Sequence, residues 1–337
     1  MESQRTHRRK PRLRLATRVL AALGCGLALT GGGPAPAQVS IVREDTPRLE
    51  WRGHVASDFR SEFETKSDAG DEFHTWRTGV EGEFGGPINE SVLVGFGTRY
   101  AYTGFDFNLD GGSPSRFGET QLPKDPWNSI HTLDFLPNAT VLIGQRVALV
   151  TTVPIRWAAE TGSRRNAFSA GLSALLRVQL NDAITLGAGI GFTSQLEDDL
   201  ETFPVVSLRW QIDDALALST EGGWQQGGRA ILTWGASDSI EFFTSLGYER
   251  TRFRLDRNGR AADRNGVGEV TTVPLEIGVR LRLGASASLD FRTGLGIAGR
   301  LRVEDDRGRR LYDQQYDPAP RLSIALRVPF GLPPRSP

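Results

Sequence analysis

The chain has 337 residues, including 39 glycines, 18 prolines, one cysteine and one methionine. Apolar residues make up 39 % and charged residues 24 %, which excludes both a polar disordered chain and a helical membrane protein. Basic and acidic residues number 40 each, but the amino end is strongly basic. This length allows two or three domains or one large β-barrel.

Residues 1–37 have the form of a secretory signal peptide. Seven cations and one acid precede an apolar stretch at 19–29, and Ala35-Pro36-Ala37 fits the small-x-small cleavage pattern. The apolar stretch is too short to span a bilayer as a helix. Cleavage after Ala37 leaves 33 basic and 39 acidic side chains. This negative balance argues against nucleic-acid binding, which needs a clustered basic surface.

Two other interpretations of this leader remain open. Arg8-Arg9 allows a twin-arginine signal, although the residues that follow fit such a signal poorly. Ala22-Leu23-Gly24-Cys25 allows a lipoprotein cleavage site, although little apolar sequence precedes it. With cleavage after Ala37, the only cysteine leaves with the leader, which suits an oxidising compartment.

Beyond residue 37 the chain alternates with a period of two. From Leu289 to Val303, the odd positions are mostly apolar and the even positions are charged or very small, as in a strand between two different solvents. No stretch approaches the roughly 18 apolar residues of a membrane helix. The pattern predicts about fourteen strands, within a range of roughly 12 to 16. The predicted strands are 49–63, 71–84, 90–107, 129–143, 146–160, 167–180, 184–197, 202–212, 216–225, 229–235, 240–255, 268–283, 286–303 and 319–330.

The connections between these strands alternate in length. Tight turns such as Asn181-Asp182 and Asp213-Asp214 alternate with longer polar links, and one link, 226–228, is short where a long one is expected. Short periplasmic turns opposite longer outer loops are typical of transmembrane barrels. The longer links are 64–70, 108–128, 161–166, 198–201, 256–267 and 304–318.

Strand length and aromatic placement agree with a membrane barrel. Ten residues tilted by about 45° cover roughly 23 Å, close to the apolar band of an outer-membrane barrel. Trp and Tyr favour strand ends, where a ring can be half buried at the bilayer edge. The sequence therefore predicts an all-β protein, a closed antiparallel transmembrane β-barrel at 38–330 with a short tail at 331–337. The predicted location is the outer membrane of a Gram-negative bacterium, in contact with its lipid.

Four local strings resemble a family of uncharacterised outer-membrane β-barrel proteins, defined only as a domain of unknown function. They are Leu196-Glu197-Asp198-Asp199, Phe253-Arg254-Leu255-Asp256, Gly266-Val267-Gly268-Glu269 and the segment 311–320. The resemblance covers roughly residues 50–330. It implies a fold and a membrane, and it supplies no ligand or catalytic residues.

The last predicted strand ends at Phe330. A terminal aromatic residue on an alternating strand is a feature by which the barrel-assembly machinery recognises outer-membrane barrels. We therefore expect that machinery as a partner, although the tail 331–337 departs from the usual pattern.

Two motifs resemble ligand sites. The G-x-G-x-x-G string at 294–299 indicates dinucleotide binding only at a strand-to-helix turn, and here it lies inside a strand. Asp106, Asn108 and Asp110 match the opening of a calcium loop, but Phe117 replaces the final glutamate. We retain a weak calcium hypothesis and predict no cofactor.

The sequence has no convincing catalytic constellation, so we do not predict an enzyme. His54, His74 and His131 lack metal-ligand spacing, and we expect them to be polar interior or loop residues. Ser129 lies two residues from His131, which leaves an outer-membrane hydrolase as an alternative.

Alternation places charged side chains on the inward face of the barrel. They form either a wall of ion pairs in a plugged structural barrel or the lining of an aqueous pore. Fourteen strands enclose more space than side chains readily fill, which favours a passive pore or transport channel for small solutes. The predicted lumen-lining residues are Arg77, Glu81, Arg99, Arg156, Arg177, Arg209, Glu241, Glu276, Arg280, Arg282, Asp290, Arg292 and Arg327.

The strand at 268–283 provides a direct test of these faces. Gly278 and Arg280 should point inward, and Val279 and Leu281 should face lipid. The alternation predicts that Leu281→Arg hinders insertion, whereas Arg280→Leu leaves insertion intact.

Overall fold

The computed structural model describes residues 51–67, 72–108, 126–163, 166–223, 227–258, 264–284 and 287–331. The predicted signal peptide lies outside these residues, as does nearly all of the predicted tail. All the regular structure in the described ranges is β-strand.

Within the described residues, no helix combines the length and apolar character needed to cross a membrane.

The described part of the chain contains seventeen strand segments in one sheet. They are β1 (Arg52–Lys66), β2 (Glu72–Pro87), β3 (Val92–Asn108), β4 (Ser129–Ile143), β5 (Val147–Thr152), β6 (Ile155–Glu160), β7 (Phe168–Gln179), β8 (Ile184–Gln195), β9 (Asp198–Gln211), β10 (Leu216–Gly223), β11 (Gly227–Gly235), β12 (Ile240–Gly247), β13 (Glu249–Arg254), β14 (Val267–Leu283), β15 (Ala287–Glu304), β16 (Arg310–Tyr316) and β17 (Ala319–Phe330).

These segments make fourteen barrel strands. Three barrel strands are interrupted, because β5 and β6 both pair with β4, β12 and β13 both pair with β14, and β16 and β17 both pair with β15. Antiparallel pairing of β1 with β17 closes the sheet. The predicted closed antiparallel barrel of fourteen strands is confirmed.

Proline lies at or beside each interruption. Pro154 separates β5 from β6, and Pro318 separates β16 from β17. The break at Tyr248 lies beside Pro274 of β14, whose missing N–H leaves the ladder incomplete.

Short polar side chains close the turns at one end of the barrel, which we call the short-turn end. Oδ1 of Asn181 accepts hydrogen bonds from the N–H groups of Ala183 and Ile184, at 2.9 and 2.8 Å. Asn89, Asp213 and Ser237 play the same part in three other turns. These side-chain oxygens replace a backbone acceptor, which explains the tight turns that the sequence predicts.

At the opposite end, which we call the long-loop end, two predicted links are wrong. The link 198–201 lies within β9, and the turn is at Leu196-Glu197. The link 304–318 contains β16. These residues lie outside the apolar band, so their outward face is charged and the strand pattern is hidden.

A β-bulge in β15 exchanges the inward and outward faces of the residues that follow it. Ala298 has a φ of 52°, and the register between β14 and β15 shifts at this point. As a result Leu301 and Val303 are buried inside, whereas Arg300 and Arg302 share the outward side. The uninterrupted alternation that the sequence predicts up to Val303 is therefore wrong beyond Ala298.

Candidate functional site in the barrel interior

The two faces of the barrel wall differ in exposure and in chemistry. On the outward face, Ile277 of β14 is 61 % exposed and Leu172 of β7 is 50 % exposed. On the inward face, Arg321 of β17 and Asp290 of β15 are only 2 % and 6 % exposed. An exposed apolar band around a charged interior is the distribution required of a barrel that spans a membrane.

A first ion-pair cluster lies near the short-turn end of β12, β14 and β15. The Arg280 guanidinium donates two hydrogen bonds to Asp290, at 2.8 and 2.9 Å, and one to Glu241 at 2.9 Å. Arg292 and Arg282 add further bonds to these carboxylates, both at 3.1 Å. The structure thus brings five predicted lumen residues into one network.

An aromatic ring supports this cluster from the interior. The guanidinium carbons of Arg280 and Arg292 lie 5.7 and 5.4 Å from the ring centre of Phe243. Gly278 makes room for that ring, since a Cβ there would lie 2.4 Å from its Cζ.

A second cluster lies at the centre of the barrel around Arg321. Its Nη2 donates to Glu249 at 3.0 Å, and its Nε lies 3.2 Å from Glu62. Glu276 is 3.7 Å from the same Nε, and Arg60 donates to Glu249 at 2.9 Å. Residues from β1, β13, β14 and β17 therefore meet across the interior.

Smaller pairs account for other predicted lumen residues. Nη2 of Arg99 donates to Asp58 at 3.2 Å. Glu81 lies 3.8 Å from His54 and 3.6 Å from Arg327.

Arg156 and Asp134 form a separate buried pair. They are directly opposite each other on β6 and β4, and two hydrogen bonds of 2.5 and 2.9 Å join them. Both side chains are almost completely buried, so the paired charges compensate each other where water is largely excluded.

The remaining predicted cations, Arg209, Arg77 and Arg177, lie outside the ion-pair clusters described above. Arg209 of β9 lies opposite Thr185 of β8, beside the contact with β10. Among the described residues, Arg77 and Arg177 form no ion pair or hydrogen bond with another side chain. Whether this whole set of thirteen residues lines an aqueous pore stays a prediction.

Several interior residues escaped the sequence analysis. Arg321 has the same strand parity as Arg327, and Asp58, Arg60 and Glu62 have the parity of His54. Extending each alternation toward the long-loop end would have found them. Nothing local indicated that Arg321 would be the most enclosed of these charges.

The long-loop end of the interior is filled by an apolar cluster. Trp127 and Phe253 are 1 % and 0 % exposed, and their rings lie 5.2 Å apart in an edge-to-face arrangement. We call this group the aromatic cluster, and its buried side chains pack together inside the barrel at this end. Its members are Phe73, Phe107, Trp127, Ile130, Ala158, Phe253, Leu255, Leu301, Val303, Tyr312 and Tyr316.

β13 reaches the aromatic cluster by crossing the interior. Arg254 forms a parallel bridge with Ala159 of β6, which is not adjacent to β13 in the barrel wall. Behind it, Arg250 donates to Glu201 at 3.1 Å, and Arg254 donates to Glu197 at 2.6 Å. The end of the β8–β9 hairpin therefore covers the outward side of β13.

The barrel wall has a seam beside this inward fold. In the described residues, β9 pairs with β10 only between 209–211 and 217–219. One rung further out, the N–H of Leu208 donates to Oγ1 of Thr220 at 2.9 Å. Further toward the long-loop end, the described residues of these two strands form no further ladder pairs, although Val206 is still outward and exposed.

The calcium hypothesis gains no support from the described residues. Asp106 is largely exposed and lies 3.9 Å from Nδ1 of His74. Asp110 and Phe117 lie outside the described residues, and Asn108 is the last residue of β3. No group of three potential metal ligands occurs within the described residues.

Ser129 and His131 do not contact each other directly. Oγ of Ser129 lies 2.7 Å from Oγ1 of Thr161, which is 3.0 Å from Nε2 of His131. Nδ1 of His131 is 2.8 Å from the Tyr100 hydroxyl. This arrangement orders polar groups at the outer edge of the barrel and does not place a base on the serine.

Several solved structures of bacterial proteins are similar to this chain over most of its length. An outer membrane channel from Pseudomonas putida F1 matches 85 % of this chain and 97 % of its own length, at 11 % identity and a TM-score of 0.45. The Pseudomonas putida toluene transporter TodX matches 90 % and 97 %, at 9 % identity and a TM-score of 0.42. The translocator domain of the autotransporter NalP from Neisseria meningitidis matches 92 % and 94 %, at 12 % identity and a TM-score of 0.35.

No family model and no curated protein sequence matches the chain. At these identities the structural likeness concerns the fold alone.

Proposed function

We propose that this protein is an outer-membrane channel whose interior, lined by arginine and acidic residues, carries small polar solutes. The observation that carries the proposal is the segregation of charge. Ion-paired arginines occupy the inward face, while the outward face of the same strands is apolar and exposed. In a barrel with a solid core, apolar residues would be more stable than buried ions, because each buried ion loses its hydration.

In this conformation the channel is closed at the long-loop end. The aromatic cluster seals that end, and the charges of the two interior clusters are largely covered by one another. Passage then requires displacement of the segment that contains β13, which is anchored by ion pairs to the β8–β9 hairpin.

Export and assembly follow from the same proposal. The segment 1–37 would direct export and be removed, and β17 would present Phe330 to the barrel-assembly machinery. In the closed barrel the Phe330 ring packs 6.1 Å from that of Phe84, at the junction of the first and last strands. Replacing Phe330 with Ala should slow assembly while leaving the apolar band unchanged.

Planar-bilayer conductance of the refolded protein tests the channel directly. We expect rare, small openings in the parent, and more frequent openings when Phe253→Ala thins the aromatic cluster. Phe242→Ala is the matched control, because Phe242 lies on the exposed outward face. If neither the parent nor Phe253→Ala conducts although both are folded, the barrel is a plugged structural one.

The seam between β9 and β10 favours a second candidate function, the sideways passage of an apolar solute. An unpaired strand edge is not tolerated against hydrocarbon, so the seam must face protein, water or a passing molecule. A disulfide between Leu208→Cys and Thr220→Cys would lock its lowest rung. If the seam is a route, oxidation should slow the release of an apolar naphthylamine dye into the bilayer, and reduction should restore it.

A further inference from the structure

Arg77 is an interior cation without an acidic partner in the described part of the chain. It lies on the inward side of β2, directly opposite Arg60 of β1 and Thr103 of β3. Its Nε is buried and finds no acceptor among the described residues. This nitrogen has lost water without gaining a carboxylate in exchange.

The acids that act on Arg77 are already engaged by other arginines. Asp58 accepts a hydrogen bond from Arg99 at 3.2 Å, and Glu249 accepts one from Arg60 at 2.9 Å. Arg60 and Arg77 are like charges in direct cross-strand register, an arrangement that destabilises a sheet. Glu249 forms an ion pair with Arg60, whereas no described acid forms an ion pair with Arg77.

Arg177 repeats this situation near the short-turn end. Its cross-strand neighbours are Ala148 and Gly187, neither of which offers a side-chain acceptor. Gly187 makes room for the aliphatic stem, since a Cβ there would lie 3.2 Å from Cγ of Arg177. The guanidinium has no ion pair or hydrogen bond with any described residue.

We propose that Arg77 binds the carboxylate or phosphate group of a small anionic solute, and that Arg177 forms an inner step of the same path. This inference rests on the proposed channel function and names its substrate class. A planar guanidinium presents a fork of N–H donors that matches both groups. A bound anion restores charge balance beside Arg60, and uncompensated cations at two depths attract anions into the barrel.

Ligand binding is measured first without any requirement for conductance. The refolded mature chain is titrated in detergent with inorganic phosphate or with acetate at fixed ionic strength, and the thermal midpoint is recorded. We expect either anion to raise the midpoint of the parent, since a ligand that binds only the folded state stabilises it. Comparing the two series shows whether phosphate or carboxylate is preferred.

Arg77→Gln should weaken the apparent affinity at least tenfold. Arg310→Gln is the matched control. It makes the same charge change, but Arg310 pairs with Asp313 at the exposed outer end. Equal anion responses in Arg77→Gln and in the parent would overturn the proposal.

The stability of Arg77→Gln without anion is a second, independent check. Removing an uncompensated cation beside Arg60 should leave the midpoint unchanged or raise it. A lower midpoint, or failure to fold, would mean that Arg77 is structural and would also overturn the proposal. Arg77→Lys keeps the charge but not the fork, so it should bind with intermediate affinity.

Bilayer recordings separate this proposal from the channel itself. Under a potassium chloride gradient, the parent should prefer anions and Arg77→Gln should shift toward cations. If anions bind at Arg77 but the barrel never conducts, the channel function is refuted and the anion site stands. If the protein conducts, but Arg77→Gln has the same ion selectivity and the same anion response as the parent, the anion site is refuted and the channel function stands.

Discussion

In the short-turn half of the barrel, β12, β14 and β15 have an exposed, mostly apolar outward side and an inward side that carries ion pairs. In the long-loop half, β13 and the ends of β14 and β15 reverse this distribution. Their inward side carries Phe253 and Leu301, and their outward side carries a row of alternating charges, Arg252, Glu269 and Arg302. The same strands thus present opposite chemistry at their two ends.

The difference shows which surroundings act on each half. Lipid outside and polar groups inside impose a period of two on the short-turn half. Beyond the apolar band the outward side meets polar surroundings or the β8–β9 hairpin, while the inward side packs against the opposite wall. Buried packing then selects apolar residues for the inside, and the lipid rule no longer applies.

The largest expected effect compares the same substitution in both halves. Arg156→Leu removes both hydrogen bonds that the buried Arg156 guanidinium donates to the buried Asp134 carboxylate, and we expect a loss of about 3–5 kcal/mol in the free energy of unfolding. Arg280→Leu should cost about 1–2 kcal/mol, since Arg292 and Arg282 still contact Asp290 and Glu241. Urea unfolding in lipid vesicles measures both.

The sequence-based prediction that Arg280→Leu leaves insertion intact concerns insertion and not the free energy of unfolding, so both expectations can be measured on the same variant. At the Arg156–Asp134 pair, the double variant Arg156→Leu with Asp134→Leu should recover most of the stability that Arg156→Leu alone loses. Equal costs for the two single arginine variants would show that the two networks are equally dependent on one partner.

Phenylalanine provides a second matched pair. Phe253→Ala removes a completely buried ring, and we expect it to cost about 3–5 kcal/mol. Phe242→Ala removes a ring that is 44 % exposed, and its cost should be clearly smaller. If the order is reversed in urea unfolding, the aromatic cluster does not stabilise the long-loop half.

A charge on the lipid side tests the regular half. Ile277→Arg places a cation in the exposed apolar band, and we expect a cost of about 2–4 kcal/mol near the bilayer midplane. The folded fraction, read from heat-dependent mobility in electrophoresis, should fall. Ile277→Val is the control, and Leu281→Arg should have a weaker effect because Leu281 lies closer to the membrane edge.

The bulge at Ala298 separates the two halves on β15. Substitutions of Ala298 can increase or decrease its backbone strain. Ala298→Val puts a β-branched residue at positive φ, and we expect a loss of about 1–2 kcal/mol. Ala298→Gly should be neutral or slightly stabilising, because glycine adopts this conformation freely. Equal unfolding midpoints for the two variants would argue against the bulge.

The smallest expected effect is confined to the turn between β15 and β16. Burial alone would raise the pKa of Asp305, but hydrogen bonds from the N–H groups of Arg309 and Arg307, together with the Arg309 side chain, lower it. A lowered pKa means that the stabilisation is present above the unfolded-state value and is lost as the pH falls through the folded-state value.

Hydrogen exchange at the Arg307 and Arg309 amides should therefore be protected at neutral pH and lose protection in acid. Asp305→Asn should reduce the protection slightly and remove this acid dependence. The same acid response in Asp305→Asn would rule out the carboxylate as its source.

The period of two, the number of strands and the short turns were predictable from the sequence because each has a local cause. Leu172 and Leu176 repeat at the spacing of one strand face, and Asn181 closes its turn through its own side chain. The faces of β14 near Ile277 follow for the same reason. These features need only the two solvents and the geometry of a strand.

The tertiary structure alone decided which charges meet and where the barrel closes. Arg321 contacts acids from three other strands, the bulge at Ala298 exchanges the faces of β15, and β13 crosses to β6. Each outcome depends on residues far apart in the chain and on side-chain volumes packed across the interior. A one-dimensional alternation contains no information about either, so the interior network and the aromatic cluster became visible only in the closed barrel.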